Sequence, residues 1–219
     1  MAKGALVFPD YTNAERAADR VIHFIGVPLG GVAGFLLLAQ AGLHGGAVLF
    51  TSIAVYVFGL IGMLGSSAAY QLSPPGRRKE KLRRLDRAMI FVMIAGTYTP
   101  LSANVLYGRG GVWLCAVLWA LAAAGIFVTL RFPRRFENAM LALYLAMGWM
   151  VLLLIRDCFA LLSAAVMALI FTGGAAYTVG AVIQSFPNIK FHNPIWHGLI
   201  LVAASCQYAA IGLQLLGVV

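Results

Sequence analysis

Side chains that can do chemistry recur within or beside the apolar runs of this sequence. The set comprises His23, Ser67, Gln71, Asp86, Asn193 and His197. Gln71 follows Ser67 by four residues, an interval that places both side chains on one face of an α-helix. His197 follows Asn193 by the same interval. Polar groups at membrane depth are costly and usually mark a functional site, so these residues are the candidates.

The first of these histidines ends a polar series at the start of an apolar run. Glu15, Asp19 and His23 are spaced by four residues and share one helical face. In the other interpretation, the two acidic residues pair with Arg16 and Arg20 in a solvated first turn. Both interpretations are open at this point, although a histidine inside an apolar run favours a role at a site.

Two other candidates also have a purely structural interpretation. Asp86 lies near the expected start of a helix, where a carboxylate stabilises the helix dipole, and it has Arg87 beside it. Asn193 precedes Pro194, a pattern typical of an N-cap followed by the first helical residue. His197 and His23 can in the same way be interior histidines with satisfied hydrogen bonds.

The elements that must position these residues are membrane-spanning helices. The chain of 219 residues is 62% hydrophobic and 11% charged, with a mean hydropathy of +0.89, which lies far outside the usage of soluble domains. Seven apolar runs are long enough to cross a bilayer, at about 21–43, 47–70, 88–106, 112–130, 138–155, 158–184 and 195–217. The fifth break has only Arg156 and Asp157 as its signal, and a tight hairpin is predicted there.

The distribution of basic residues predicts the orientation of these spans. With seven spans and a cytoplasmic N-terminus, fourteen of the sixteen Lys and Arg residues lie on the cytoplasmic side. The C-terminus is then external. Residues 1–20 form a cytoplasmic segment, and residues 21–219 form a single all-α, seven-helix transmembrane domain. The same topology brings the helix ends that carry the candidates to one level on the cytoplasmic side.

The expected partners are membrane lipids rather than nucleic acid. The net charge of +9 comes from cations that flank the spans, and they lack the interleaved aromatic residues of a nucleic-acid surface. Small residues at four-residue spacing permit close helix contacts, either within one bundle or in a homodimer. They are Gly26, Gly30 and Gly34 in the first span and Ala176 and Gly180 in the sixth.

At these residues the sequence resembles the hemolysin III family of bacteria, within the progestin and adipoQ receptor superfamily. Its form of these motifs is similar to that of proteobacterial members. The resemblance covers nearly the whole chain. The matching pieces are Glu15…Asp19…His23-Phe24-Ile25-Gly26, Ser67-Ala68-Ala69-Tyr70, Leu85-Asp86-Arg87 with Ala95-Gly96-Thr97-Tyr98-Thr99-Pro100, and Asn193-Pro194-Ile195-Trp196-His197. It implies a multi-pass protein of the bacterial inner membrane.

The resemblance also implies a zinc ion near the cytoplasmic side. In the family the ligands are a histidine four residues after the motif serine and two histidines four residues apart in the last span. Here Gln71 and Asn193 occupy two of those positions, and only His197 remains. Amide oxygens are poor zinc ligands, so weak zinc binding or none is expected. His23 or His192 are the residues that can complete a metal site with His197.

Three functions are compatible with this resemblance. The first is a sensing, regulatory or membrane-homeostasis role, with a polar cytoplasm-facing cavity formed by His23, Gln71 and Asn193 and a degenerate metal site. The second is a zinc-dependent hydrolase of a lipid amide or ester, in which Asp86 deprotonates the water and Ser67 supports the substrate. The third is the pore-forming cytolysis recorded in the family name, for which no span carries the repeating polar stripe of a conducting path.

Overall fold

The computed structural model describes residues 8–217, and all of its regular structure in that range is helical. This confirms the predicted all-α class. The helices are α1 (Asn13–His44), α2 (Ala47–Leu72), α3 (Arg77–Asn104), α4 (Gly111–Arg131), α5 (Glu137–Gly148), a 3₁₀ segment (Met150–Leu154), α6 (Ile155–Leu161), α7 (Ala164–Gln184) and α8 (His192–Leu216).

Six of the helical segments are long and apolar enough to cross a membrane. They are residues 13–43, 47–72, 111–131, 137–161, 164–184 and 192–216. The remaining long helix, α3, is less apolar because it begins with the basic run. It packs against α2, α4, α5 and α8 and so lies inside the bundle. The chain is therefore a multi-pass membrane protein.

The first helix begins well before the apolar run, inside the predicted N-terminal segment 1–20. Its start is fixed by a capping box, in which the Thr12 hydroxyl accepts from the Glu15 N–H and the Glu15 carboxylate accepts from the Thr12 N–H. Asp19 and His23 thus occupy the second and third turns of a continuous helix.

The tight hairpin predicted at Arg156 and Asp157 is wrong. The chain stays helical through both residues, and the turn comes at Leu162, before Ser163 caps α7 by accepting from the Val166 N–H. Asp157 forms an ion pair with Arg109, in the loop before α4, at 3.3 Å.

The irregularity in this stretch occurs earlier, at the end of α5. The Tyr98 hydroxyl of α3 donates to the Gly148 carbonyl at 2.6 Å and accepts from the Val151 N–H at 3.0 Å. These bonds satisfy backbone groups that the change from α-helix to 3₁₀ helix leaves unpaired. The fifth apolar segment therefore runs from 137 to 161 without a turn.

The start of α3 is anchored by buried charges. Arg83 donates to Glu80 and to Glu137, and Arg134 donates to Glu80 at 2.8 Å. Burial alone would raise the pKa of the Glu80 carboxyl, but the hydrogen bonds from Arg134 and Arg83 hold that pKa at about 2. The basic run thus includes ion pairs that fix α3 to the segment before α5.

The two helices α2 and α3 approach each other through glycines. A Cβ atom at Gly59 would lie 3.1 Å from the Cα of Met93, and one at Gly96 would lie 3.2 Å from the carbonyl oxygen of Val55. Both neighbours are backbone atoms, which cannot move aside as a flexible side chain can. These contacts set the distance between the helices that carry Ser67 and Asp86.

The small-residue face of α1 is used within the chain. A Cβ at Gly30 would meet Leu64, one at Gly34 would meet Val57, and one at Gly26 would meet Leu201. These glycines let α2 and α8 pack closely on α1. A homodimer through such faces stays a prediction.

Gly59→Ala and Gly96→Ala should each destabilise the protein by about 1–3 kcal/mol, because the added methyl forces two backbones apart. The measurement is reversible unfolding of the purified protein in detergent micelles. Gly65→Ala is the matched control on α2, since no atom lies within 4 Å of its added Cβ, and it should be neutral or slightly stabilising. Equal effects at all three positions would contradict the close approach.

Candidate functional site

One cavity receives all six candidate residues. It has a volume of about 260 Å³ and lies at the end of the bundle where α1, α3 and α8 begin and α2 ends. Its lining includes His23, Ser67, Gln71, Asp86, Asn193 and His197. Helical spacing explains the arrangement, because each pair separated by four residues presents both side chains to the same side of its helix.

A buried carboxylate joins the first and last helices at this cavity. Asp19 Oδ1 lies 2.5 Å from Nδ1 of His197, a residue 178 positions later in the chain. Both side chains are buried, at 8% exposure each. A buried carboxylate needs a partner of this kind. In the sequence Asp19 shares a helical face with Glu15 and His23, and its spacing from His23 is the only signal that it contributes to the site.

The hydroxyl of Ser67 lies between the two histidines. His23 Nε2 is 3.2 Å from Ser67 Oγ, and His197 Nε2 is 3.5 Å from the same oxygen. His23 Nδ1 is 2.8 Å from the backbone carbonyl oxygen of Asp19. The two imidazole rings are in edge contact, with centroids 4.7 Å apart.

The hydrogen-bond partners assign the tautomers of both rings. The backbone carbonyl and the carboxylate of Asp19 accept hydrogen bonds from His23 and His197, respectively. Nδ1 of His23 and Nδ1 of His197 therefore each carry a hydrogen. In the neutral rings both Nε2 atoms are then acceptors that face Ser67. The serine has a single O–H and can donate to only one of them at a time.

The loop before α8 is held by the start of α1. Glu15 Oε1 accepts from the Phe191 N–H at 2.9 Å, and Phe191 adopts a left-handed conformation with φ of 60°. This bond places the first turn of α8, and with it His197, relative to α1. The polar face of α1 therefore contacts α8 at Glu15 and Asp19 and contacts α2 at His23.

His192 is placed away from the histidine pair. Its Nδ1 lies 3.0 Å from the Ile189 carbonyl oxygen, and its ring is tilted against that of Tyr11, with the ring centroids 5.6 Å apart. Burial, together with the nearby Tyr70 and Asp19, raises the pKa of Tyr11 to about 12, so this cavity residue stays neutral at physiological pH. The sequence-based suggestion that His192 joins His197 at a metal receives no support from this placement.

The two amides at the family's histidine positions both face the cavity. Neither the Gln71 nor the Asn193 side chain has a hydrogen bond within residues 8–217. The backbone beside Gln71 is fixed instead by Lys79, whose ammonium donates to the carbonyls of Tyr70, Gln71 and Ser73 at the end of α2. The amide N–H groups are therefore free to bind a molecule in the cavity.

The carboxyl group of Asp86 reaches the same point from α3. It is partly buried, lines the cavity and contacts the Ser67 hydroxyl. Arg87 lines the cavity next to it, and the carbonyl of Arg87 accepts from the Tyr144 hydroxyl at 2.8 Å. α3 therefore contributes a second carboxyl group and a cation to the site.

The residues present do not fit the zinc ion that the family resemblance implies. Donor atoms of Asp19, His23 and His197 lie within 4.8 Å of one another, but Asp19 is hydrogen-bonded to Nδ1 of His197. That leaves the two histidine Nε2 atoms as imidazole donors, where a zinc site needs three or four protein ligands. The 2.5 Å separation of Asp19 and His197 is that of a hydrogen bond. The other two family ligand positions hold Gln71 and Asn193.

A second, apolar cavity of about 90 Å³ adjoins the polar one. It lies deeper in the bundle and is lined by residues such as Met93, Leu145 and Trp149. Six residues line both cavities: Met63, Ile90, Leu141, Tyr144, Trp196 and Ile200. The two spaces together offer a polar chamber next to an apolar one.

Comparisons with known proteins agree with the membrane fold. The family model described as Haemolysin-III related matches residues 13–208. The "Hemolysin-3 homolog" of Bacillus subtilis (strain 168) is 32% identical over 198 residues, which cover 90% of this chain and 93% of that protein. "Hemolysin-3" of Bacillus cereus is 34% identical over 198 residues, which cover 89% of each chain. No solved structure matches. The chain belongs to the hemolysin III family.

Proposed function

We propose that this hemolysin III family protein is a seven-span protein of the bacterial inner membrane that binds an amphiphilic membrane lipid and has a sensing, regulatory or membrane-homeostasis role. The observation that supports it is the polar cavity that adjoins an apolar one. A polar head group fits beside the histidines and amides, and an acyl chain fits the deeper apolar space.

The seventh span in this proposal is α3. Its apolar part follows the basic run, and it packs on four other helices of the bundle. The ion pairs of Glu80 and Arg83 lie at the same helix ends as the cavity. The excess of Lys and Arg at these ends supports a cytoplasmic position for the cavity.

The family's metal site is degenerate in this proposal. A metal-dependent hydrolase of lipid amides or esters is the second candidate, and it draws support from the grouping of Asp19, His23 and His197. The hydrogen bond between Asp19 and His197 argues against a metal between them. Cytolysis, to which the relatives' names refer, gains no support from the buried charged residues and histidines of the described chain, which gather at one end of the bundle.

A reporter inserted after residue 76 should be active in the cytoplasm, and one fused after Val219 should be active on the outer side. The expectation follows from seven spans with the basic loops inside. Alkaline phosphatase and a cytoplasmic fluorescent protein at both positions provide matched measurements. A cytoplasmic C-terminus would contradict the seven-span arrangement.

The double substitution Gln71→His with Asn193→His should create a three-imidazole site with His197 that binds one zinc per chain. Metal content is measured on protein purified without a histidine tag. The unfolding free energy of the double variant should rise with free zinc, by about 2.7 kcal/mol at a hundredfold excess over Kd. A tight zinc in the wild type that His197→Ala removes would contradict the degenerate site.

Leu145→Trp should weaken binding of a single-chain lysophospholipid about tenfold or more. Leu145 lines the apolar cavity, and the larger tryptophan side chain would fill that space. Leu153→Trp is the control in the same apolar segment, since Leu153 is 71% exposed at the surface. Native mass spectrometry from detergent micelles measures the bound lipid, and thermal unfolding verifies that both variants fold. Equal affinity in the two variants would contradict binding in this cavity.

A further inference from the structure

Three side chains at the cavity have an arrangement that lipid binding alone does not use. We propose that Asp19, His197 and Ser67 form a catalytic triad in which Ser67 is the nucleophile toward an acyl ester of an amphiphile. The substrate class rests on the proposed function, because it assumes that the two cavities bind a lipid. The triad itself rests on the geometry of the three residues.

The order of contacts is that of an activated serine. The Asp19 carboxylate accepts from Nδ1–H of His197 at 2.5 Å, which leaves Nε2 of His197 as a base. That nitrogen is 3.5 Å from Ser67 Oγ. The distance between a catalytic serine and its base is often longer in the absence of substrate than in the complex. The carboxylate stabilises the imidazolium that forms when His197 takes the serine proton.

His23 is the other imidazole within reach, at 3.2 Å from Ser67 Oγ. Its Nδ1–H donates to a neutral backbone carbonyl, while the nearest carboxylate oxygen of Asp19 is 3.8 Å away. A neutral partner stabilises an imidazolium less than a carboxylate does. His197 is therefore the base, and His23 positions the serine oxygen.

Burial makes these interactions strong while the cavity keeps the serine within reach of a ligand. Counted over the whole residue, Asp19, Ser67 and His197 are 6%, 8% and 7% exposed, and Ser67 and His197 both line the polar cavity. A water-poor setting strengthens both the carboxylate to imidazole bond and the stabilisation of a developing charge.

The cavity also offers donors for the oxyanion. Gln71 lies one turn after Ser67, Asn193 lies one turn before His197, and both amides line the cavity without a side-chain partner in residues 8–217. Amide N–H groups of this kind stabilise the negative oxygen of a tetrahedral intermediate.

The reaction proceeds in two balanced steps. Ser67 Oγ attacks the ester carbonyl carbon, His197 takes the serine proton, and the carbon to alkoxy bond breaks as His197 returns that proton to the leaving alcohol. Water then attacks the acyl-serine, His197 takes a proton from the water, and the Ser67 oxygen leaves as a hydroxyl on receiving that proton. One ester and one water yield one fatty acid and one alcohol.

The first test is the reaction of the purified full-length protein with an alkyl fluorophosphonate, followed by intact mass and peptide mapping. The wild type should gain one phosphonyl group on Ser67, and Ser67→Ala should gain none. Ser66→Ala is the matched control, because the Ser66 hydroxyl is buried beside Ser67 but donates to the Met63 carbonyl at 3.2 Å. It should be labelled at the wild-type rate.

The second test separates the triad from a structural serine and from a metal site. Asp19→Asn and His197→Gln should each slow labelling at least about tenfold, whereas His23→Gln should slow it less. Labelling should be unchanged after treatment with a chelator. Mapping the wild-type adduct keeps the test valid even if a variant fails to fold.

Four results would overturn the triad: no adduct on Ser67 in folded wild type, an adduct that persists in Ser67→Ala, labelling that a chelator abolishes, or an equal rate in Asp19→Asn. Release of fatty acid from a lysophospholipid should likewise disappear in Ser67→Ala and persist in Ser66→Ala. Labelling of Ser67 without any lysophospholipid binding would support the triad but contradict the amphiphilic substrate and the proposed function.

Discussion

The burial of the Asp19 carboxylate is the constraint on which the site depends. A carboxylate buried inside a membrane protein is tolerable only with a hydrogen-bonded partner, and the Asp19 carboxylate has Nδ1–H of His197, while its backbone carbonyl accepts from Nδ1–H of His23. The first bond joins residues 178 positions apart. The first and last helices of the chain must therefore meet for the charge to be satisfied.

The surrounding packing holds that meeting point in place. Gly26 and Gly30 let α8 and α2 approach α1, and Glu15 fixes the loop that starts α8. Gly59 and Gly96 bring α2 and α3 to backbone contact. Small residues thus stabilise the bundle by close contact, since lipid-exposed apolar surface supplies no hydrophobic force between helices in a bilayer.

The fold class and the candidate residues were predictable from the sequence because hydropathy and four-residue spacing are local signals. The helix ends at Ser67, Asp86 and His197 line one cavity, as expected from residues at one level of the bundle. The hairpin near Asp157 was misplaced, because a charged residue in an apolar run looks like a loop unless its partner is known. That partner, Arg109, is distant in sequence.

The role of Asp19 was not predictable for a related reason. Spacing placed it on the face of His23, but the sequence could not show that His197 would lie against its side chain. In the sequence, Gln71 and Asn193 stand out only as positions where zinc-binding histidines are missing. Among residues 8–217 both side chains have no hydrogen-bond partner, and both line the cavity that contains Ser67.

The site can therefore be described by its balance of hydrogen-bond donors and acceptors. Two imidazole Nε2 atoms face one serine hydroxyl, so acceptors outnumber donors at that point. Such an imbalance is relieved by a proton, a cation or a ligand that donates. The Asp19 bond occupies His197 Nδ1, so the Nε2 atoms of the two histidines are the imidazole acceptors that face this space. A polar head group that carries hydroxyl or ammonium donors supplies what this end of the cavity lacks.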